Sequence, residues 1–166
     1  MRGTHIFMTS RPHTDHPILD ELDEALVHVR RVLQRPGYRR RLLAAVDRPL
    51  ELATLRTLRA VERRQDGDPC IGDVAEALAV DPSTASRTVD RAVAAGLLDR
   101  TPSERDRRRT SLVLTAQGAA VLDRVTAARR ELLAEVTADW ADADVERLSA
   151  LLRDLLVGFD RLEAAP

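Results

Sequence analysis

Residues 72–115 constrain the fold of this chain more than any other segment, because two short helical patterns separated by a tight turn follow one another there. In the first pattern, which ends at Ala79, the apolar residues recur at helical spacing. Asp81 and Pro82 are typical of a helix start, with an acid at the N-cap and proline in the first helical position. Gly96 is suited to end that second helix. The segment therefore predicts a helix, a turn and a second helix.

A charged hairpin follows the second helix. Leu97–Thr101 and Thr110–Leu114 alternate apolar and polar residues as strands do, and Pro102–Arg109 is the loop between them. Four arginines crowd this loop: Arg105, Arg107, Arg108 and Arg109. Helix, turn, helix and hairpin in this order are typical of a winged helix-turn-helix, with one helix for the major groove of DNA and a wing for the neighbouring groove. The expected fold class is mainly α with a small β wing.

The second helix, predicted at Pro82–Ala95, has two distinct faces. Ala85, Val89 and Ala92 form the inward face, and a polar stripe at helical spacing forms another. Stability does not require such a stripe, so we interpret it as a DNA-reading face. The alternative is an ordinary solvated face, and for the loop arginines a charged turn that keeps the hairpin edge soluble. The candidate DNA-binding residues are Ser83, Thr84, Ser86, Arg87, Thr88, Arg91, Arg105, Asp106, Arg107, Arg108 and Arg109.

The distribution of charge agrees with a DNA-binding role. All 26 basic residues are arginine, whose guanidinium suits phosphate and guanine contacts better than an ammonium does. The net charge is −1, so the chain as a whole is not a basic nucleic-acid binder. Residues 1–81 carry 13 arginines and 13 acids, residues 82–115 carry 7 and 4, and residues 116–166 carry 6 and 10. The positive excess therefore lies on the second helix and the wing, where a DNA footprint is expected.

Other classes of protein find little support in the sequence. It has no nucleophile–base arrangement, no glycine-rich phosphate loop and no convincing carboxylate pair, so an enzyme is not expected. Cys70 is the single cysteine, which excludes an intrachain disulfide framework, and His13, His16 and His28 lack the neighbouring ligands of a metal site. No apolar run approaches the length of a membrane helix, about 18 residues, and residues 1–15 lack the apolar region of a signal peptide. We expect a cytoplasmic protein without cofactor or metal, with residues 1–15 as a disordered leader.

Helices are also predicted on both sides of the helix-turn-helix. The apolar spacing places them at Asp15–Arg35, Tyr38–Val46, Leu50–Arg64, Ala116–Ala138 and Asp142–Leu162. The first helix and the last two are more apolar than a winged helix of this size can cover, so we expect them to pack against a second copy of the chain. The predicted organisation is N-terminal dimerisation helices at 16–48, the winged helix-turn-helix at 49–115 and C-terminal dimerisation helices at 116–166. A symmetric dimer suits DNA, since its two recognition helices meet half-sites about 34 Å apart.

Residues 50–114 closely resemble the MarR family of bacterial transcriptional regulators. The matching pieces are LELATLRTLRAV, IGDVAEALAVDPSTASRTVDRAVAAGLL and the wing pattern D-x-R-x5-L-T. The resemblance implies an obligate homodimer, with a dimerisation domain formed by both chain ends, that binds a pseudo-palindromic operator in double-stranded DNA. By motif position it also implies that Arg108 enters the minor groove and that Asp106 orients it. A narrow, A·T-rich minor groove does attract arginine.

The resemblance further implies a small-molecule effector in a cleft between the dimerisation layer and the winged helix. In this sequence the corresponding neighbourhood contains Val29, Tyr38, Leu42, Leu55 and Leu58. Few aromatic residues, together with the basic run 39–41 nearby, suit an anionic or phenolic effector. The main hypothesis is a repressor whose effector favours a spacing of the recognition helices that no longer fits the half-sites. Two alternatives stay open: an oxidant sensor that uses Cys70, and a winged-helix module for protein interaction without specific DNA binding.

Overall fold

The computed structural model describes residues 16–47, 49–103 and 109–164, and within them it is mainly helical with one small antiparallel sheet. The expected fold class is therefore confirmed. In chain order the elements are α1 (Pro17–Gln34), α2 (Pro36–Ala44), α3 (Leu52–Arg63), α4 (Ile71–Leu78), α5 (Pro82–Ala94), β1 (Leu98–Pro102), β2 (Thr110–Leu114), α6 (Ala116–Val136) and α7 (Asp142–Glu163). A short 3-10 turn at Gln65–Gly67 lies between α3 and α4. The chain divides into two compact units after Arg40, and α2 spans that division.

The described part of the first unit, residues 16–40, consists mostly of α1, a helix with no buried residue. Pro17 occupies its first turn, where a missing backbone N–H costs no helical hydrogen bond. Its apolar side chains stay largely in solvent, with 76% of Ile18 and 54% of Val29 exposed. A helix with this amphipathic pattern normally buries its apolar face against another element. Within a single chain, α1 does not do so.

The second unit is organised around the helix-turn-helix, whose core is aliphatic. Leu58 and Val61 of α3 and Val89 of α5 are completely buried, and the first half of α6 closes the core with Val121 and Val125. Burying a side chain of this size stabilises the fold by about 1.5–3 kcal/mol relative to leaving it exposed. The described helices α3, α4 and α5 thus form one packed group that fixes the orientation of α5.

Local chemistry sets the ends of α4 and α5 as the sequence predicts. The Asp81 carboxylate accepts a hydrogen bond from the backbone N–H of Thr84 at 2.9 Å, which caps α5. Ala79 ends α4 in the left-handed region with φ 52°, and Gly96 follows α5 with φ 69°. A left-handed residue frees the chain to turn sharply, and glycine adopts that conformation without a Cβ clash. The inward face predicted for α5 is confirmed, because its alanines and its valine at position 89 are fully buried.

The hairpin pairs β1 with β2 in the register Leu98 with Leu114 and Pro102 with Thr110. The first strand begins at Leu98 and not at Leu97 as predicted. The reason is that the Leu97 N–H donates to the carbonyl oxygen of Ala92 at 2.9 Å, so it completes the end of α5 and not the sheet ladder. The other helix boundaries that fall on described residues agree with the predicted ones to within about two residues, the usual uncertainty of a helix end.

The end of α6 and all of α7 carry a second uncovered apolar surface. α7 has no buried residue, and the exposed fraction is 57% for Leu151, 61% for Leu156 and 51% for Phe159. Trp140, between the two helices, is 47% exposed. No helix in the described part of the chain combines the length and the apolar character needed to cross a membrane.

Candidate nucleic-acid interface

The first turn of α5 is organised by one carboxylate. Besides capping the helix, Asp81 accepts hydrogen bonds from the hydroxyl of Ser83 at 2.5 Å and from the hydroxyl of Thr84 at 2.6 Å. These side-chain bonds, that from Ser83 foremost, together with the backbone N–H of Thr84, hold the pKa of Asp81 far below its usual range. The carboxylate therefore stays ionised at any pH at which the protein would meet DNA. Because both hydroxyl protons point to Asp81, the two oxygens keep their lone pairs available as acceptors.

Arg87 is connected to the same network. Its Nη2 donates to Thr84 Oγ1 at 3.2 Å, one turn closer to the start of α5. The Arg87 side chain is otherwise exposed, so the guanidinium keeps free N–H groups in a defined position. A guanidinium with two free donors can bind the O6 and N7 atoms of guanine or a phosphate. The chain Asp81–Thr84–Arg87 is thus a preformed set of polar groups in the first turns of α5, the second helix of the helix-turn-helix.

Two predicted contact residues lie elsewhere on α5 than expected. Thr88 is buried with only 5% of its surface exposed, and its Oγ1 donates to the Thr84 carbonyl oxygen at 3.0 Å. It follows Ala85 by three positions and precedes Ala92 by four, which places it beside the inward face. Ser86 is half-buried and borders a cavity between α5 and the hairpin. The polar stripe on α5 therefore consists of the half-buried Thr84 and the exposed Arg87 and Arg91, without Thr88.

Two ion pairs attach α5 to its neighbours. Arg91 Nη1 lies 2.8 Å from Glu51 Oε2 at the start of α3, and Arg100 Nη2 of β1 lies 2.7 Å from Asp90 Oδ1. All four side chains are more than one-third exposed, so each pair contributes little to stability but can set a preferred position. Arg100 was not among the predicted site residues. Its opposite charge to Asp90 was visible in the sequence, but the pairing depends on the angle between helix and hairpin.

The wing candidates Arg105, Asp106, Arg107 and Arg108 lie outside the described residues. Arg109 at the base of the wing is exposed, and its Nη2 donates to the sulfur of Cys70 at 3.0 Å. Cys70 is half-buried at the start of α4.

The start of α4 is a compact network. The backbone N–H of Cys70 donates to Asp73 Oδ2 at 2.8 Å, and Arg64 Nη1 donates to Asp73 Oδ1 at 2.6 Å. The backbone bond from Cys70 is the main cause that lowers the pKa of Asp73, and Arg64 adds to it. The hydrogen bonds to Asp73 and Glu76 raise the pKa of Arg64 above its already high value. This network around Cys70 is not apparent from the sequence.

The residues expected around an effector differ in accessibility. In the first unit Val29 is exposed and Tyr38 is half-buried. In the second unit Leu42 and Leu55 are each 6% exposed and Leu58 is fully buried in the core. Leu55 and Leu58 lie three positions apart on the inner face of α3, which explains why they pack inward. Leu58 therefore offers no surface to a ligand in this conformation.

Metal binding finds no support in the described part of the chain. No group of three or more histidine, cysteine, aspartate or glutamate side chains is arranged to hold an ion there. His16 and His28 are exposed, and His13 lies outside the described residues.

The capped α5, the hairpin behind it and the aliphatic core beneath define a winged helix-turn-helix protein. A family model described as "MarR family" matches residues 49–109, the segment that contains these elements. The chain belongs to the MarR family of transcriptional regulators, as the sequence resemblance predicts. None of the curated proteins matches the chain.

The similarity to solved structures extends beyond the winged helix. A MarR family protein from Bacillus stearothermophilus is 22% identical, covers 87% of this chain and 96% of its own, and has a TM-score of 0.74. RV1404 from Mycobacterium tuberculosis is 31% identical over 82% of this chain and 92% of its own, with a TM-score of 0.66. MepR from S. aureus, solved with ethidium bromide, is 18% identical over 84% of this chain and 95% of its own, with a TM-score of 0.58. A variant of MepR is bound to an oligodeoxyribonucleotide. The similarity thus includes most of the described helices and not only the DNA-binding segment.

Proposed function

We propose that this regulator is a cytoplasmic homodimer that binds a pseudo-palindromic DNA operator and releases it when a small effector binds. The observation that carries the proposal is the network Asp81–Thr84–Arg87 at the start of α5. It holds an exposed guanidinium and two hydroxyl oxygens in fixed positions where the recognition helix of this fold meets base edges. Preformed polar groups bind with less loss of side-chain entropy than mobile ones.

Dimerisation is supported by the apolar faces of α1 and α7. Neither helix has a buried residue in the single chain, and both carry leucine and other large apolar side chains at helical spacing. Contiguous apolar surface of this kind marks an interaction site. A two-fold dimer would cover it and would present two copies of α5 to two half-sites.

Effector control is supported by structures of similar proteins. MepR has been solved with ethidium bromide, and a variant of it with DNA. For the present chain we propose repression by differential affinity: the effector binds better to a conformation whose two recognition helices do not fit the half-sites together. An anionic or phenolic effector remains the expectation from composition.

The test of operator binding uses Arg87→Ala. Operator fragments are first selected from genomic DNA, and affinity is then measured by fluorescence anisotropy at fixed ionic strength. We expect Arg87→Ala to weaken binding by about 1–3 kcal/mol, because a bidentate contact to a base or a phosphate is lost. Arg130→Ala, which removes an exposed arginine from α6, is the matched control and should bind normally. Equal affinities for the two variants would contradict the proposed role of α5.

The wing is tested separately with Arg108→Ala. We expect a strong loss of operator affinity with an unchanged circular-dichroism spectrum, because an arginine in the minor groove contributes to binding without contributing to the fold. The loss should be largest for operators whose half-sites are flanked by A·T-rich sequence. If affinity is retained on every operator, the wing does not enter the minor groove.

The contact between Arg109 and Cys70 favours a second candidate function, control of DNA binding by oxidants. Reactive cysteines lie in partly exposed, electropositive surroundings such as a helix start beside a base, and Cys70 has both. Oxidation by a peroxide would add an oxygen to the sulfur and alter its contact with the base of the wing. Reversible loss of operator binding after peroxide treatment, absent in Cys70→Ser, would support this function. Unchanged binding after peroxide treatment would eliminate it.

A further inference from the structure

Four arginines line one cavity between α3 and α4. The cavity has a volume of about 420 Å³, and its lining includes Arg56, Arg59, Arg63 and Arg64, with Ala60 and Leu78 among the apolar residues. We call it the arginine pocket. No described acid lines it, and no residue of α5 or of the described hairpin does so either. It is therefore separate from the surface assigned to DNA bases.

Helical geometry brings the four guanidinium groups together. Arg56, Arg59 and Arg63 are spaced three and then four residues apart, which places them on one face of α3. Arg64 is the C-cap of the same helix. Ala60 lies between them on that face and is almost fully buried, so the floor of the pocket is apolar.

Two of the arginines are already held in place from outside the pocket. Arg59 donates to Glu62 Oε2 at 2.6 Å and to Thr126 Oγ1 of α6 at 2.7 Å. Arg64 donates to Asp73 Oδ1 at 2.6 Å and to Glu76 Oε2 at 3.1 Å. These bonds use only part of the five N–H donors that each guanidinium carries. The remaining donors are preorganised, which is the condition for binding a ligand at low entropic cost.

The other two arginines have no such partner. Among the described residues, none forms an ion pair or a side-chain hydrogen bond with Arg56 or Arg63. The carboxylates of Glu62, Asp73 and Glu76 already offset the charges of the fixed pair, so the uncompensated charge at the pocket is that of Arg56 and Arg63, and an anion there would offset the repulsion between these two. Guanidinium groups bind phosphate and carboxylate oxygens in bidentate fashion, and several of them around one site select a multiply charged oxyanion. The volume lies within the range of small-molecule sites, about 300–1,000 Å³.

The geometry points to the arginine pocket as a binding site for a small, free, multiply charged oxyanion, such as a phosphate compound or a polycarboxylate. A phosphate of the DNA backbone shares this chemistry. A concave site lined by α3 and α4, and by no residue of α5, suits a free anion better than a strand that follows α5.

The arginine pocket is connected to the recognition helix through α4. Arg64 joins it to Asp73 in the first turn of α4, while Ala77 and Leu78 on its other side lead into the turn before α5. A bound anion would engage the remaining donors of Arg64 and would bring negative charge close to Asp73 and Glu76, and this repulsion would alter the position of α4. This consequence rests on the proposed function, because it requires that α5 reads DNA. The anion site itself does not.

The binding test uses isothermal titration calorimetry of the full chain with inorganic phosphate, pyrophosphate and citrate at constant ionic strength. We expect pyrophosphate to bind more tightly than phosphate, because it can engage more of the four guanidinium groups. The double variant Arg56→Gln with Arg63→Gln should lose at least about tenfold in affinity for pyrophosphate. The matched control removes two exposed arginines outside the pocket, Arg130→Gln with Arg147→Gln, and should bind as the wild type does. Circular dichroism verifies that both double variants are folded.

Equal weakening in both double variants would overturn the proposal, since it would reflect net charge alone. So would normal pyrophosphate binding in the Arg56→Gln, Arg63→Gln variant. A third outcome is that this variant binds pyrophosphate normally but loses affinity for DNA uniformly across sequences. If the salt dependence of its DNA affinity also indicates about two fewer phosphate contacts than in the wild type, the pocket contacts the DNA backbone instead. A wild-type protein that binds pyrophosphate through this pocket but ignores DNA would uphold the site and contradict only the proposed function.

Discussion

At the scale of single residues, Asp81 does the most to shape the DNA-reading surface. Its carboxylate caps α5 and aligns the Ser83 and Thr84 hydroxyls, and Thr84 in turn accepts from Arg87. A negative charge suits this position because the start of a helix carries a partial positive charge. In the proposed function Asp81 would act on DNA binding through the residues it positions, and we expect its removal to disturb Arg87 without any direct contact between Asp81 and DNA.

The stability contributed by Asp81 should depend on pH. Hydrogen bonds lower its pKa in the folded chain, whereas in the unfolded chain the pKa is about 3.9. A lowered pKa means a contribution that is fully present above the unfolded value and is lost as the pH falls towards the folded one. Wild type should thus be more stable than Asp81→Asn near neutrality, and the difference should shrink below about pH 4. Urea denaturation from pH 7 to pH 2.5 measures it.

Asn is chosen because it can also cap a helix, which isolates the effect of the charge. Asp123→Asn, in an exposed part of α6, is the control for losing one negative charge. A wild-type advantage that persists unchanged at pH 2.5 would contradict the role given to the ionised carboxylate.

Sequence predicts residue roles well where the chemistry is local. The Asp81 cap was predictable because it needs only an acid, a proline and the next turn of helix. The burial of Thr88 was harder to predict. A polar side chain is normally expected in solvent, but the Thr88 hydroxyl has a hydrogen-bond partner inside the fold, because it donates to the Thr84 carbonyl oxygen. A threonine paired in this way behaves as a small core residue. The Arg109–Cys70 contact could not be predicted at all, since the two residues are 39 positions apart.

At the scale of elements, the turn from the hairpin into α6 depends on one glycine. Thr115 caps α6 by accepting from the backbone N–H of Gly118 at 3.0 Å, and its own hydroxyl donates to the Gly96 carbonyl oxygen at 2.7 Å. Gly118 lies against the backbone that enters β1: a Cβ there would stand 2.1 Å from the carbonyl oxygen of Leu97. This close approach ties α6 to the end of α5, and through it the wing to the core.

Gly118→Ala should therefore destabilise the protein. Alanine favours a helix over glycine by about 1 kcal/mol, but relieving a clash with backbone requires α6 or β1 to move. We expect a net loss of about 3 kcal/mol in the free energy of unfolding, measured by urea denaturation. Gly37→Ala in α2 is the matched control, because a Cβ there would meet no atom within 4 Å. A Gly118→Ala variant as stable as wild type would show that the backbone yields easily at this junction.

Element boundaries were predictable to the extent that a capping residue sets them. Asp81 and Thr115 begin α5 and α6 as expected, because their side chains accept from the next turn. Leu97 illustrates the limit: its alternation with later residues looks like a strand, but its N–H is already bonded to α5. Competition between two backbone partners is settled by three-dimensional geometry and leaves little trace in the sequence.

At the scale of the whole molecule, a single chain leaves too much apolar surface in water. α7 presents Leu148, Leu152, Leu155 and Phe159 on one helical face, and three of these four side chains are more than 40% exposed. Fully burying an exposed side chain of this size gains about 1.5–3 kcal/mol, and covering the part of each that is still exposed gains a share of that, so an interface that covers several can offset the entropy lost on association. The sequence indicated this surplus of apolar residues. The particular pairing of the two copies cannot be deduced from it, because one chain does not define the partner's surface.

We predict that Leu148→Asp combined with Leu152→Asp abolishes the dimer. Two charges four residues apart on the apolar face would be buried without partners in the interface, a cost that association cannot recover. Sedimentation equilibrium should give twice the 18.4 kDa chain mass for wild type and 18.4 kDa for this variant. Ala143→Asp with Ala150→Asp, on the other side of α7, adds the same two negative charges and should stay dimeric. The monomeric variant should also bind a full operator no better than a single half-site, because two recognition helices no longer bind as a unit. Wild type that sediments as a monomer at micromolar concentration would instead mean that a different partner covers α7.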